Sequence, residues 1–204
     1  MSRVRVAVLI SGRGSNMQAL IEAAKDPTYP AGIVLALSNR PEAPGLQIAR
    51  AAGVEALAVD HQPYGKGVEA REAHERVMDA ELRARAIDLV CLAGYMRVLT
   101  PWFVNAWAGR MLNIHPSLLP HFPGLDTHRR AIEAGHAEHG CTVHLVTEGV
   151  DEGPVLGQAR VPVLPGDTED ALAARVIAAE HVLYPDTLAR YVREHARHST
   201  EGRP

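Results

Sequence analysis

The chain has 204 residues, a net charge of −3 and a pI near 6.4, with 47% hydrophobic and 22% charged residues. That is the size of one domain with a full core, and the charge argues against a nucleic-acid-binding protein. No apolar run approaches the ~18 residues of a membrane span, and two distant cysteines, Cys91 and Cys141, are too few for a disulfide framework or a CxxC zinc site.

Residues 4–10 read as a strand covered on both faces. The short apolar start lacks a small-residue cleavage site, so a cytoplasmic protein without a secretory leader is expected. After the loop 11–16, Met17, Leu20, Ile21 and Ala24 follow helical spacing, and Ser15 with Gln18 fits a capping box. Further strands are expected at 32–37, 54–59, 87–93 and 111–115. Helices are expected at 43–52, 68–86 and, after Thr100-Pro101, to residue 107. The alternation predicts a Rossmann-like open α/β sheet, mostly parallel, with helices on both faces. The rhythm then changes. A proline-rich loop, a helix at 127–134 and strands at 141–147 and 155–163 predict an antiparallel pair, followed by a long helix at 168–192. The polar tail from His195 is expected to fray.

Three places carry candidate chemistry. Gly12, Gly14 and Ser15 join the first strand to the first helix, where glycines and free amides suit an anion. The loop lacks a P-loop lysine, and a plain strand-to-helix turn is the alternative. Asn113 and His115 are two apart and project together from a strand's C-terminal end. An amide there can donate to an oxyanion, and a histidine can move a proton. Thr142 and His144 share a face before the loop carrying Asp151, and a carboxylate beside a histidine raises its pKa. Other features read blandly. Arg71 is expected to be solvated, Cys91, Cys141, Trp102 and Trp107 to be core, and His136 and His139 to be exposed loop residues. Glu180 is expected to snorkel at the edge of an apolar helix stripe. No histidine pair has helical metal-ligand spacing with a third carboxylate, so no metal is expected.

The run Asn-Ile-His-Pro-Ser-Leu-Leu-Pro at 113–120, with Pro123-Gly124 and Val-Asp-Glu-Gly-Pro at 150–154, resembles the formyltransferase family that uses 10-formyltetrahydrofolate. The blocks at 11–20, 93–99, 138–144 and 180–185 resemble the branch acting on glycinamide ribonucleotide in purine synthesis. The resemblance implies a formyltransferase fold spanning residues 1–194, with a nucleotide-phosphate half to about residue 100 and a folate and catalytic half beyond it. It implies transfer of a formyl group from 10-formyltetrahydrofolate, a co-substrate, to the glycinamide amine. Asn113, His115 and Asp151 match the catalytic trio, with His144 in support. Gly14, Ser15 and Asn16 match the phosphate loop, and Glu180 the carboxylate at the ribose. Arg71, Met96, Arg97, Val98, Leu99, Thr147, Glu148, Gly149 and Val150, with Asn113, match the folate site. The implied partners are small molecules, without nucleic acid or membrane, acting on a monomer or homodimer. Arg13 and Asp126 depart from common family residues, often asparagine and, in a bacterial version, histidine. The alternatives are a 10-formyltetrahydrofolate hydrolase, expected to carry an extra N-terminal domain; a methionyl-tRNA formyltransferase, expected to carry a C-terminal one; and a non-catalytic nucleotide-binding module.

Overall fold

The structure, a computed structural model, describes residues 3–195. Strand β1 (Val4–Ile10) lies centrally, and its alternation builds both cores. Val6, Val8 and Ile10 enter one layer with Met17, Leu20, Leu172, Val176 and Tyr184. Ala7 and Leu9 enter the other with Leu35, Leu37, Met78, Leu82, Phe103 and Trp107. The period-2 geometry of a strand requires this split. Each fully buried leucine contributes about 1.5–3 kcal/mol of transfer free energy.

The sheet order is β3-β2-β1-β4-β5-β6-β7, using β2 (Ala31–Ser38), β3 (Glu55–Ala58), β4 (Leu89–Leu92), β5 (Met111–His115), β6 (Glu138–Leu145) and β7 (Val155–Pro162). The strands β3 to β5 in that order pair in parallel. β6 pairs antiparallel with both β5 and β7, with a register shift between Val143 and His144. The helices are α1 (Ser15–Ala23), α2 (Pro44–Ala51), α3 (Val68–Ala84), α4 (Pro101–Ala106), α5 (Thr127–Glu133) and α6 (Glu169–His195). The predicted open, mostly parallel sheet with antiparallel C-terminal strands is therefore present. Among the described residues, no helix is long and apolar enough to cross a membrane.

Local details differ from the sequence reading. Helix α1 has Gly14 as its N-cap, left-handed at φ 73°, with no side-chain cap, so the Ser15–Gln18 capping box does not form. Ser15 is already helical, and a serine caps only from an extended backbone. Helix α3 stops two residues early because Ala86 turns at φ 48°. Strand β6 begins at Glu138, which makes His139 a buried strand residue at 1% exposure rather than an exposed loop residue. Helix α6 runs through His195, where the tail was expected to begin; the rest of that tail lies outside the described residues. Cys91, Cys141 and Trp107 are core, whereas Trp102 is half-buried beneath the Arg76 guanidinium at 4.3 Å.

Candidate active site

The strand order reverses between β1 and β4, and ligands in open α/β sheets bind beyond the carboxyl ends of strands at such a point. The loop after β1, segment 94–99 after β4 and the end of β5 all lie at this edge.

At the β1 end, Gly14 makes the turn into α1, and a Cβ there would stand 3.0 Å from Met17 Cε and 3.2 Å from Gly45 Cα. The first intrahelical bond runs from Gln18 N to Gly14 O, 2.9 Å. The earliest amides of α1 therefore have no intrahelical acceptor and remain available to an anion. Sequence reasoning missed Gly45, on α2. Its N–H donates to Gly12 O at 3.1 Å, and a Cβ on it would stand 2.5 Å from Ile10 Cδ1. Its only signal is a glycine directly after the proline that starts a helix.

Glu180 does not snorkel. It is 5% exposed, and its Oε2 accepts a 2.7 Å hydrogen bond from Asn16 Nδ2. Burial raises its carboxyl above the ordinary range, and the Asn16 bond partly offsets that rise. The sequence reading underestimated it because a stripe edge is defined by the helix alone, whereas α1 packs over this turn of α6.

At the β5 end, Asn113 faces His144 in cross-strand register. Asn113 Nδ2 lies 3.1 Å from His144 Nε2, and His144 Nδ1 lies 2.8 Å from Leu145 O. His144 Nδ1 donates to the Leu145 carbonyl, and the Asn113 amide hydrogen not directed at His144 is free to donate. Asp151 comes from the loop beyond β6, with Oδ2 3.3 Å from His115 Nδ1 and Oδ1 3.5 Å from His144 Nε2. Gly124 N also donates to Asp151 Oδ2, 2.9 Å. His115 Nε2 donates to Phe122 O, 2.9 Å. The structure thus gathers Asn113, His115, His144 and Asp151 into one cluster.

Burial raises Asp151, but the neighbouring His144 and His115 imidazoles and the Gly124 amide outweigh it, so the carboxyl lies below its usual value. His115 corrects the expectation that Asp151 raises its pKa enough to keep it protonated. Burial pulls the imidazole below 6.5 and outweighs the upward influence of the Phe122 carbonyl and of Asp151. Its two nitrogens face Phe122 O and Asp151 Oδ2, so the site offers an acceptor for each proton of an imidazolium. Two non-glycine residues that contact it, Phe122 and Asp151, sit at φ 54° and 57°, and Asp126, in the same loop as Phe122, sits at 56°. Left-handed backbone costs such residues roughly 1–2 kcal/mol each, a cost that concentrates at functional sites.

Segment 96–99 follows β4, and the 147–150 turn follows β6 and leads to Asp151. Met96, Val98 and Val150 are 64%, 57% and 54% exposed. Arg71 is half-buried rather than fully solvated, and its Nη1 donates to Val98 O at 3.3 Å. Arg97 and Leu99 are half-buried beside them. Thr147 and Glu148 are exposed, Gly149 is half-buried, and Glu148 Oε1 accepts from Asn105 Nδ2 at 2.8 Å. Among the described residues, no group of three or more His, Cys, Asp or Glu is placed to hold a metal ion.

The chain matches the formyl transferase family over residues 4–188. It is 48% identical over 182 residues to the phosphoribosylglycinamide formyltransferase of Escherichia coli (strain K12), covering 89% of this chain and 84% of that protein. It is 50% identical over 192 residues to the trifunctional purine biosynthetic protein adenosine-3 of Drosophila melanogaster, spanning only 14% of that protein's length. Among solved structures, the phosphoribosylglycinamide formyltransferase of Brucella melitensis superposes with a TM-score of 0.88 at 53% identity, covering 93% of this chain and 96% of that one. Glycinamide ribonucleotide transformylase 1 of Symbiobacterium toebii superposes with a TM-score of 0.90 at 45% identity, covering 95% and 89%.

Proposed function

The chain belongs to the formyl transferase family, and we propose that it transfers the formyl group of 10-formyltetrahydrofolate to the amine of phosphoribosylglycinamide, a step of purine synthesis. The observation that carries this reading is the meeting of Asn113 and His115, from β5, with Asp151, from the loop after β6. Relatives named for transfer to the glycinamide nucleotide support it over hydrolysis of the formyl-folate. A passive nucleotide-binding module would leave the buried His115–Asp151 pair without a purpose.

On this reading the amides of Gly14, Ser15 and Asn16 take the phosphate, and Glu180 takes the ribose hydroxyls. Arg71, segment 96–99 and residues 147–150 hold the pteridine and its tail. The amine attacks the formyl carbon, and Asn113 donates its free amide hydrogen to the developing oxyanion. His115 Nε2 exchanges Phe122 O for the substrate. It moves the proton from the amine toward the leaving folate nitrogen, and Asp151 stabilises the imidazolium while it is charged. His144 holds the Asn113 amide. Residues 1–194 act as one domain, with most of the phosphate side from the part up to about residue 100 and most of the catalytic side from the rest. Glu180 crosses between them. The setting proposed is the cytoplasm, with small molecules as the only partners required.

The test is a folate assay with and without the nucleotide. Tetrahydrofolate should form only when phosphoribosylglycinamide is present, in step with formylated product. Release of formate without the nucleotide would instead establish the hydrolase.

A further inference from the structure

Segment 94–99 contains no helix or strand, so its shape depends on side chains from elsewhere. Three residues on two parts of the chain hold its backbone and that of Thr100, which follows it. Ser11 N donates to Gly94 O at 3.0 Å, and Ser11 Oγ accepts from Met96 N at 2.8 Å while donating to Asn39 Oδ1 at 2.6 Å. Arg71 holds Val98 O. At the far end Glu75 Oε1 accepts from Thr100 N at 2.9 Å, and Glu75 Oε2 accepts from Thr100 Oγ1. Thr100 in turn caps α4. Glu75 is 2% exposed and lies one helical turn after Arg71, so a single face of α3 grips both Val98 and Thr100.

From this arrangement we infer that Glu75 is a positioning residue for the folate co-substrate: its buried carboxylate fixes Thr100 and thereby the shape of segment 96–99. The inference rests on the folate reading above. Packing alone does not account for a carboxylate there. An apolar side chain would fill the site without the desolvation cost, and burial pushes Glu75 above the ordinary carboxyl range while the Thr100 bonds partly offset the rise. The requirement is for two acceptors. Without them the Thr100 amide is buried and unpaired, and the segment end is released.

The test uses the full chain with Glu75→Ala and Glu75→Gln, tetrahydrofolate as the binding probe, the KM for phosphoribosylglycinamide, Tm, and hydrogen exchange at the Met96 and Thr100 amides. Glu75→Ala should weaken tetrahydrofolate by about tenfold or more, the scale of one buried hydrogen bond. It should leave the nucleotide KM within about twofold and speed exchange at Thr100. Glu75→Gln, which keeps one acceptor, should fall between wild type and Ala. A folded Ala variant that binds tetrahydrofolate like wild type overturns the inference, as does a matched loss for both substrates. If Ala does not fold, a Gln variant identical to wild type in folate binding and Thr100 exchange overturns it. Wild-type protein that fails to bind tetrahydrofolate defeats the folate reading itself.

Discussion

Asn16 and Glu180, 164 positions apart, meet through a 2.7 Å hydrogen bond from Asn16 Nδ2 to Glu180 Oε2. The bond ties the first turn of α1 to the middle of α6 and places a buried carboxylate beside the loop proposed to take the phosphate. At the other end of the same sheet edge, Asp151 reaches His115 across 36 positions. Each end of the proposed ligand face is thus completed by a carboxylate from the last third of the chain.

Glu180→Gln keeps the shape and an acceptor for Asn16 but removes the charge. Burial raises the folded carboxyl above 4.5. Its favourable contribution is therefore fully present below about 4.5 and is lost as pH rises through the raised folded value. The Tm of the glutamine variant relative to wild type should rise between pH 4.5 and 8, while the nucleotide KM increases by about tenfold or more, the scale of a charged hydrogen bond. A pH-independent Tm difference with an unchanged KM defeats the assignment.

Gly14→Val and Gly45→Ala both crowd the turn after β1. Valine at φ 73° is strained, and its Cβ would press on Met17 and Gly45; an alanine at 45 would meet Ile10 and the Gly12 carbonyl. Both should raise the nucleotide KM and leave the folate KM within about twofold. Steady-state kinetics with each substrate varied in turn decides this, and equal effects on both substrates contradict a phosphate-specific loop.

For Asp151→Asn, kcat should fall by at least ~10²-fold, the scale of a general acid–base contribution, while both KM values change by less than about tenfold. Burial already holds His115 below 6.5 and Asp151 acts against it. The variant's imidazole should gain its proton at a still lower pH. The acid limb of the pH–rate profile should move down accordingly, and a limb that stays in place would falsify the coupling.

His139 is held at about 4, chiefly by burial, with His128 3.2 Å away adding to the effect. The unfolded chain takes this proton near 6.5, so stability falls as pH drops from about 6.5 toward 4. Replacing His139 by glutamine should flatten that part of the Tm-versus-pH curve. A slope equal to wild type over this window means other groups govern acid unfolding.

Within the site, the Asn113–His115 pair was legible for a local reason, and Asp151 only through the family resemblance. Asn113 and His115 are two apart on one strand, and strand geometry alone aims them the same way. The folate-side segments were legible only through family resemblance, because backbone-mediated recognition leaves no residue-type signature. Glu75 and the Phe122 carbonyl left no trace, and Gly45 only the proline before it. Each matters through a contact with another part of the chain, and in two of the three the backbone is the part that acts.

The sequence by itself determined the order of strands and helices, the parallel core and the strand end from which Asn113 and His115 project, because periodicity and Gly/Pro punctuation are properties of neighbouring residues. Tertiary structure alone decided the burial of Glu180, the strand placement of His139 and the protonation balance of His115. Burial depends on what packs over a group, and a helix edge or loop is not exposed until its neighbours are known. For His115 the same sequence supplies both a carboxylate that favours the proton and a cover that disfavours it, and only their three-dimensional arrangement sets which prevails.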